Sequence, residues 1–138
     1  MGTPHILLAE DHPTNTLLIQ TILASAGLEA TCVANGLMAV EAAMRESYDL
    51  IFMDVQMPVM DGYTAIREIR RAEDAAHRPH SRIYTVTTNS DLQDVRASLN
   101  AGADGHIKKP FRPQELLDAV ASIEFSDVDN GSRTISSH

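Results

Sequence analysis

Five short apolar runs, each followed by a stretch with helical periodicity, fill most of the chain, and this alternation restricts the fold more than any other feature. The first run, Ile6-Leu-Leu-Ala9, stops abruptly at Glu10-Asp11-His12-Pro13. Thr31-Cys-Val-Ala34 is weaker, and Leu50-Ile-Phe-Met53 is the strongest and ends at Asp54. Ile83-Tyr-Thr-Val86 is less oily, but its threonine and tyrosine suit β structure. Gly105-His-Ile-Lys108 is a short fifth run. An uninterrupted apolar run of this length reads as a strand buried on both faces of a parallel sheet.

The intervening stretches carry helical faces. Leu18, Ile22 and Ala26 align on one face, widened by Leu17, Ile19 and Leu23, and Gly27 closes that helix. Val40, Ala43 and Met44 predict a second helix. A third runs from Tyr63 to about Ala76, with Ile66 and Ile69 inward. Arg67, Arg70 and Arg71, with Glu68 and Glu73 interspersed, read as its solvated face. Asp91 can cap a fourth helix that carries Leu92, Val95 and Leu99. Pro113 suits the first turn of a fifth, whose apolar residues are Leu116, Val120 and Ile123. Strict alternation of this kind predicts an α/β fold, a parallel sheet with helices on both faces.

The 138 residues suffice for one domain with one core, and a hydrophobic fraction of 43% fills it. The net charge of -8 repels nucleic acid phosphates and disfavours direct nucleic acid binding. With Cys32 alone no internal disulfide forms, and Cys32 is expected as a small buried strand residue. No apolar run approaches a membrane span, and the first residues lack the basic and apolar segments of a secretion signal. The expected compartment is the cytoplasm.

In an open parallel sheet, ligands gather at the carboxyl ends of the strands. Strand one delivers Glu10 and Asp11 there, strand three Asp54, and strand four Thr87 and Thr88. Lys108 and Lys109, the only lysines among eleven Lys and Arg residues, follow at the fifth. Crowded carboxylates repel one another, and a divalent cation relieves the repulsion. Donors without paired His or Cys favour Mg2+ over zinc. A nucleophilic carboxylate, a lysine point charge and a hydroxyl are the parts that phosphoryl transfer requires. The Lys109–Pro110 bond is a candidate cis peptide, which would turn the lysine back over the strand ends. Each group alone has a plain alternative as loop, cap or strand surface; their common placement favours a shared site.

The segment from Tyr48 to Gly62, containing Met53-Asp-Val-Gln-Met-Pro58 and Asp61-Gly62, resembles the phosphoacceptor region of receiver domains in two-component signalling. Glu10-Asp11, Thr87 and Lys109-Pro110-Phe111 stand where that family has its acidic pair, switch hydroxyl and lysine. The resemblance covers residues 5–124, leaving 1–4 as an N-terminal tail and 125–138 as a polar tail or linker. It implies a flavodoxin-like, doubly wound five-stranded sheet in the order 2-1-3-4-5. It further implies that Asp54 takes a phosphoryl group from a phosphohistidine on a histidine kinase or histidine phosphotransfer domain. Asp11, Asp54 and the Gln56 backbone carbonyl would hold Mg2+, with Glu10 acting through water, and Thr87 and Lys109 would hold the phosphoryl oxygens. The output surface it implies is the face formed by helix four, strand five and helix five.

Three positions qualify that expectation. The family's aromatic switch position, three before Lys109, is His106; as histidines titrate near neutral pH, the coupling is expected to be altered or pH-sensitive, with a solvent-facing His of no special role as the plain alternative. Gln56 and Asn89, two past Asp54 and Thr87, are expected to set the dephosphorylation rate. His12 adjoins the acidic pair, where contact with bound solvent is one reading and a plain helix-entry residue the other, and His77 and His80 read as loop surface. An aspartyl phosphatase is a competing reading, but it needs an acid where Gln56 stands. A pseudo-receiver that only binds partners is another, against which the retained Asp11, Asp54, Thr87 and Lys109 argue. The wording Met53-Asp-Val-Gln-Met-Pro-Val-Met-Asp-Gly62 resembles receivers of hybrid histidine kinases more than those of transcription factors.

Overall fold

The computed structural model describes residues 3–88 and 91–132, with side chains as far as Ile123. In chain order the elements are β1 (Ile6–Ala9), α1 (Pro13–Ser25), β2 (Ala30–Val33), α2 (Gly36–Arg45), β3 (Leu50–Asp54), α3 (Gly62–Ala75), β4 (Arg82–Thr87), α4 (Leu92–Ala101), β5 (Gly105–Lys108) and α5 (Pro113–Ser132). The strands form one parallel sheet in the order β2-β1-β3-β4-β5. The expected alternation and strand order are therefore those observed. The last helix continues to Ser132, beyond residue 124, where the chain first turns polar.

Side chains leave a strand alternately to its two faces, so each apolar run supplies two cores. Leu7, Ile51, Met53 and Ile83 face Ala39, Ile66 and Ile69 of α2 and α3. Ile6, Leu8, Leu50, Phe52 and Ile107 face Ile19, Leu23, Leu116 and Val120 of α1 and α5. Phe52, Leu50 and Ile51 are wholly buried, and each contributes about 2 kcal/mol of transfer free energy. The centre of the sheet is thus its most rigid part, and the strand ends that carry polar groups project from it.

The helix faces differ from expectation where the sheet is narrower than the apolar stripe. In α1 the buried residues are Ile19, Ile22 and Leu23, whereas Leu17 and Leu18 are 64% and 47% exposed. Met44 of α2 is exposed, and small residues including Ala39, Ala42 and Ala43 make that contact instead. In α4, Leu92 and Leu99 face solvent, and the helix seats on Ser98 and Ala101. Cys32 is exposed rather than buried, because β2 is an edge strand whose flank α1 only partly covers.

The basic face of α3 is also not simply solvated. Arg70 is buried to 12% side-chain exposure, and Glu73 to 6%. The Arg70 guanidinium donates to Glu73 (2.8 Å), the Ser81 carbonyl (2.7 Å), the Gly102 carbonyl (3.0 Å) and Asp104 (3.0 Å). Glu73 in turn accepts from the Ser81 backbone N–H and hydroxyl, both at 2.8 Å. This network ties α3 to the start of β4 and to the α4–β5 turn. Gly102 ends α4 at φ +113, a conformation that disfavours side chains, and a Cβ there would press on Arg70.

Candidate phosphoryl-acceptor site

The carboxyl ends of the central strands bring Glu10, Asp11 and Asp54 together, as the sequence predicts. Backbone bonds to the ends of β2 and β4 fix the loops around them. Glu10 N–H donates to Val33 O (3.1 Å), Val55 N–H to Val86 O (3.2 Å) and Lys109 N–H to Thr87 O (2.7 Å). The Lys109–Pro110 peptide is cis, as expected. At Gly62 a Cβ would collide with the Asp54 carbonyl, so the Asp61-Gly62 pair lets α3 start directly against the end of β3. Asp61 caps that helix, its side chain accepting from the Thr64 N–H at 3.0 Å.

Asp54 is 4% exposed and Glu10 3%. Lys109 Nζ lies 3.2 Å from Glu10 Oε1 and 3.7 Å from Asp54 Oδ1, so one ammonium spans both carboxylates. The Gln56 N–H also donates to Asp54 Oδ1, at 3.2 Å. Burial, and then the Glu10 charge, push the Asp54 carboxyl up to about 7 against the pull of Lys109. Burial also opposes ionisation of Glu10, but Lys109 and the His12 N–H outweigh it and hold Glu10 below its ordinary range. One carboxylate is therefore firmly ionised, and the other is held back from ionising by its neighbour.

Asp11 is the more open member, at 26% side-chain exposure, yet its Oδ1 is shielded from solvent and accepts no hydrogen bond. His12 Nδ1 lies 3.1 Å from that oxygen without satisfying it. A buried carboxylate oxygen left in this state is costly, and a cation would satisfy it. The carboxylate oxygens suit a hard ion such as Mg2+, so the residues present fit the expected metal.

Thr87 is buried at the end of β4, whereas the neighbouring Thr88 is exposed. Lys108 also points to solvent, which singles out Lys109 of the lysine pair. Gln56 is exposed beside Asp54, and Asn89 lies outside the described residues. His106, at the expected switch position, is half-buried, with Nδ1 3.1 Å from Thr85 Oγ1. Thr85 Oγ1 also meets Ser98 Oγ at 3.0 Å, and both hydroxyl residues are fully buried. Sequence reasoning missed this chain of groups. Its only signal was a threonine two positions before Thr87, on the same face of β4, and a serine on the inward side of α4.

His12, which the sequence places beside the acidic pair, does more than open a helix. It is the N-cap of α1, but its side chain makes no capping bond. The ring turns back on the acidic pair, with Nδ1 3.2 Å from Glu10 Oε2. A groove of about 360 Å³ opens beside it, lined by Asp11, Leu17, Gln20, Cys32 and Met38 among others.

Comparison with known proteins agrees with this geometry. Residues 6–121 match the family model of the response regulator receiver domain. The chain is 37% identical over 117 residues to the sensor protein GacS of Pseudomonas syringae pv. syringae, covering 85% of this chain and 13% of that protein. It is 36% identical over 121 residues to the peroxide stress-activated histidine kinase mak1 of Schizosaccharomyces pombe, covering 86% of this chain and 7% of that one. Among solved structures, the receiver domain of sensor histidine kinase PA1611 from Pseudomonas aeruginosa superposes with a TM-score of 0.80. That domain is 39% identical, covers 89% of this chain and 99% of its own, and was crystallised with a magnesium ion in its active-site cleft. The strand order, the acidic cluster on the strand ends and the family match together make this chain a member of the response regulator receiver domain family of two-component signalling.

Proposed function

We propose that Asp54 is the phosphoryl acceptor of this receiver. The observation that carries the reading is a buried carboxylate at the end of the central strand, 3.7 Å from the Lys109 ammonium and beside an acidic pair. An Asp54 oxygen forms the new O–P bond as the N–P bond of a partner's phosphohistidine breaks and the imidazole departs. Lys109 meets the charge on the transferred oxygens, and the Thr87 hydroxyl hydrogen-bonds another of them. Asp11, Asp54 and the Gln56 carbonyl are the groups that would hold Mg2+, with Glu10 acting through water. When bound, the ion supplies positive charge that offsets the acidic pocket and the phosphoryl oxygens. Gln56 and Asn89 tune how readily water reaches the product.

The partner is a histidine kinase or a histidine phosphotransfer domain, and the domain works in the cytoplasm. The unit at 5–124 carries the Met53–Gly62 wording of hybrid histidine kinase receivers, and names among the relatives, a hybrid signal transduction histidine kinase of Dictyostelium discoideum included, support that class. The output face is that of α4, β5 and α5. A net charge of -8 disfavours direct nucleic acid contact by this unit. No helix among the described residues is long and apolar enough to cross a membrane. His106 carries the switch through Thr85 and Ser98 rather than through an aromatic ring moving among apolar neighbours.

The test is incubation with Mg2+ and acetyl phosphate, followed by mass spectrometry of wild type and Asp54→Asn. One phosphoryl group on the wild type and none on the variant is expected. An unmodified wild type, or equal labelling of the variant, overturns the assignment.

A further inference from the structure

We propose that His12 adds an imidazole nitrogen to the cation pocket of Glu10, Asp11 and Asp54, making it a mixed nitrogen–oxygen site that favours borderline divalent transition ions over Mg2+. The inference rests on the cation-pocket reading above and extends it to a residue and an ion class.

Placement is the first argument. An N-cap side chain ordinarily folds over its own helix to accept from the N–H groups of the first turn. His12 does not; its Nδ1 is hydrogen-bonded to Glu10 Oε2 at 3.2 Å and lies 3.1 Å from Asp11 Oδ1. One ligand atom from each of Glu10, Asp11, His12 and Asp54 lies within 4.8 Å of the others, a spread compatible with one shared ion.

The second argument is the state of Asp11 Oδ1. The oxygen is buried and accepts no hydrogen bond, although a ring nitrogen stands 3.1 Å away. A nitrogen and an oxygen this close, without hydrogen-bond geometry, are placed as two donors converging on a third centre. Ligation through Nδ1 needs the tautomer with its proton on Nε2, so a bound ion would replace the hydrogen bond that Nδ1 makes to the Glu10 carboxylate. The ring is 65% exposed, so water can satisfy that proton.

Chemistry then sets the preference. Mg2+ dehydrates reluctantly and takes oxygen donors, so an imidazole adds little to its binding. Co2+ and Ni2+ bind imidazole well and stand higher in the divalent affinity series.

Calorimetric titration of the full chain with MgCl2, CoCl2 and NiCl2 tests this, using wild type, His12→Ala and Asp11→Asn. For His12→Ala, the Ni2+ and Co2+ affinities are expected to fall about tenfold or more, and the Mg2+ affinity by less than about threefold. The visible spectrum of bound Co2+ should shift in the same variant, reporting loss of a nitrogen ligand. Asp11→Asn should abolish the same Ni2+ event, which separates it from binding at the other histidines. Ni2+ binding that survives His12→Ala while the wild type binds Mg2+ overturns the inference alone, as does an equal loss of all three ions. A wild type that binds none of them overturns the cation-pocket reading as well.

Discussion

Asp54→Asn should stabilise the metal-free protein, by an amount that grows with pH. The folded chain holds the Asp54 carboxyl at about 7, against 3.8 for a free aspartate. Between those values the folded state binds the proton more tightly than the unfolded state does. Stability is therefore lost as pH rises through the window. The cost is absent below about pH 4, reaches roughly half by pH 5.5, and is complete above about pH 7. A shift of about three units sets a ceiling of about 4 kcal/mol, and relaxation around the pocket brings the expectation to about 2 kcal/mol. Asparagine keeps the acceptor that the Gln56 N–H uses and removes the charge that burial and Glu10 oppose, a net gain because those two outweigh the 3.7 Å Lys109 contact it also gives up. Urea denaturation in EDTA at pH 4, 5.5 and 8 measures the difference. The variant should match the wild type at pH 4 and exceed it increasingly above that. Mg2+ at 100 times its dissociation constant should add about 2.7 kcal/mol to the wild type and little to the variant. An advantage independent of pH, or a variant weaker than the wild type at pH 8, refutes the charge-crowding argument.

Glu73→Ala should cost about 2–3 kcal/mol in a urea midpoint measurement, because it removes one of the two carboxylates on the buried Arg70, leaving Asp104, and orphans the Ser81 N–H. The surface pair Glu68–Arg71 on the same helix is the control, and Glu68→Ala should cost under about 1 kcal/mol. Val59 stands at φ 71 in the loop after Asp54, a conformation that β-branched residues resist, so Val59→Asn should raise stability by about 1 kcal/mol. Thr85→Val removes the hydroxyl that both Ser98 and His106 meet; a loss of about 1–3 kcal/mol is expected by thermal unfolding. His106→Phe should change the phosphorylation-linked shifts of α4 amides in NMR spectra, and identical shifts would remove His106 from the switch.

The sheet was legible because its signal is local. Four consecutive apolar residues such as Ile6–Ala9 need no distant partner to be read as a two-faced strand. The acidic pair, Asp54, Thr87 and Lys109 were legible for a related reason, since each ends or follows an apolar run, where a parallel sheet gathers its chemistry. Helix faces were read less well. Periodicity marks an apolar stripe but not how much of it the sheet covers, and so Leu17, Leu92 and Leu99 emerged exposed. Arg70 and Glu73 were misread because their partners lie 8 to 34 residues away, at Ser81, Gly102 and Asp104. No pattern on α3 alone separates a buried ion pair from a solvated one.

These contacts divide α4 into unequal parts. Its C-terminal turn is fixed, since Arg70 holds the Gly102 carbonyl and Asp104 while also bonded to Glu73 and the Ser81 carbonyl. Among the described residues its middle meets β4 through one hydroxyl pair, Ser98 to Thr85, which His106 shares from β5, and the Tyr63 hydroxyl of α3 donates to the Asp94 carbonyl at 3.4 Å. Its first turn carries the Asp91 cap and an exposed Leu92. Thr87, two residues beyond Thr85 on the same strand face, is the group that a phosphoryl oxygen on Asp54 would draw upon. A displacement of β4 at Thr87 therefore reaches Thr85 before it reaches anything at the Arg70 end. Breaking neutral hydroxyl bonds costs about 1 kcal/mol each, whereas dismantling the buried Arg70–Glu73 pair costs several times more. The cheaper motion is a swing of the N-terminal half of α4 about its anchored C-terminus, and it is the motion that moves Leu92 most.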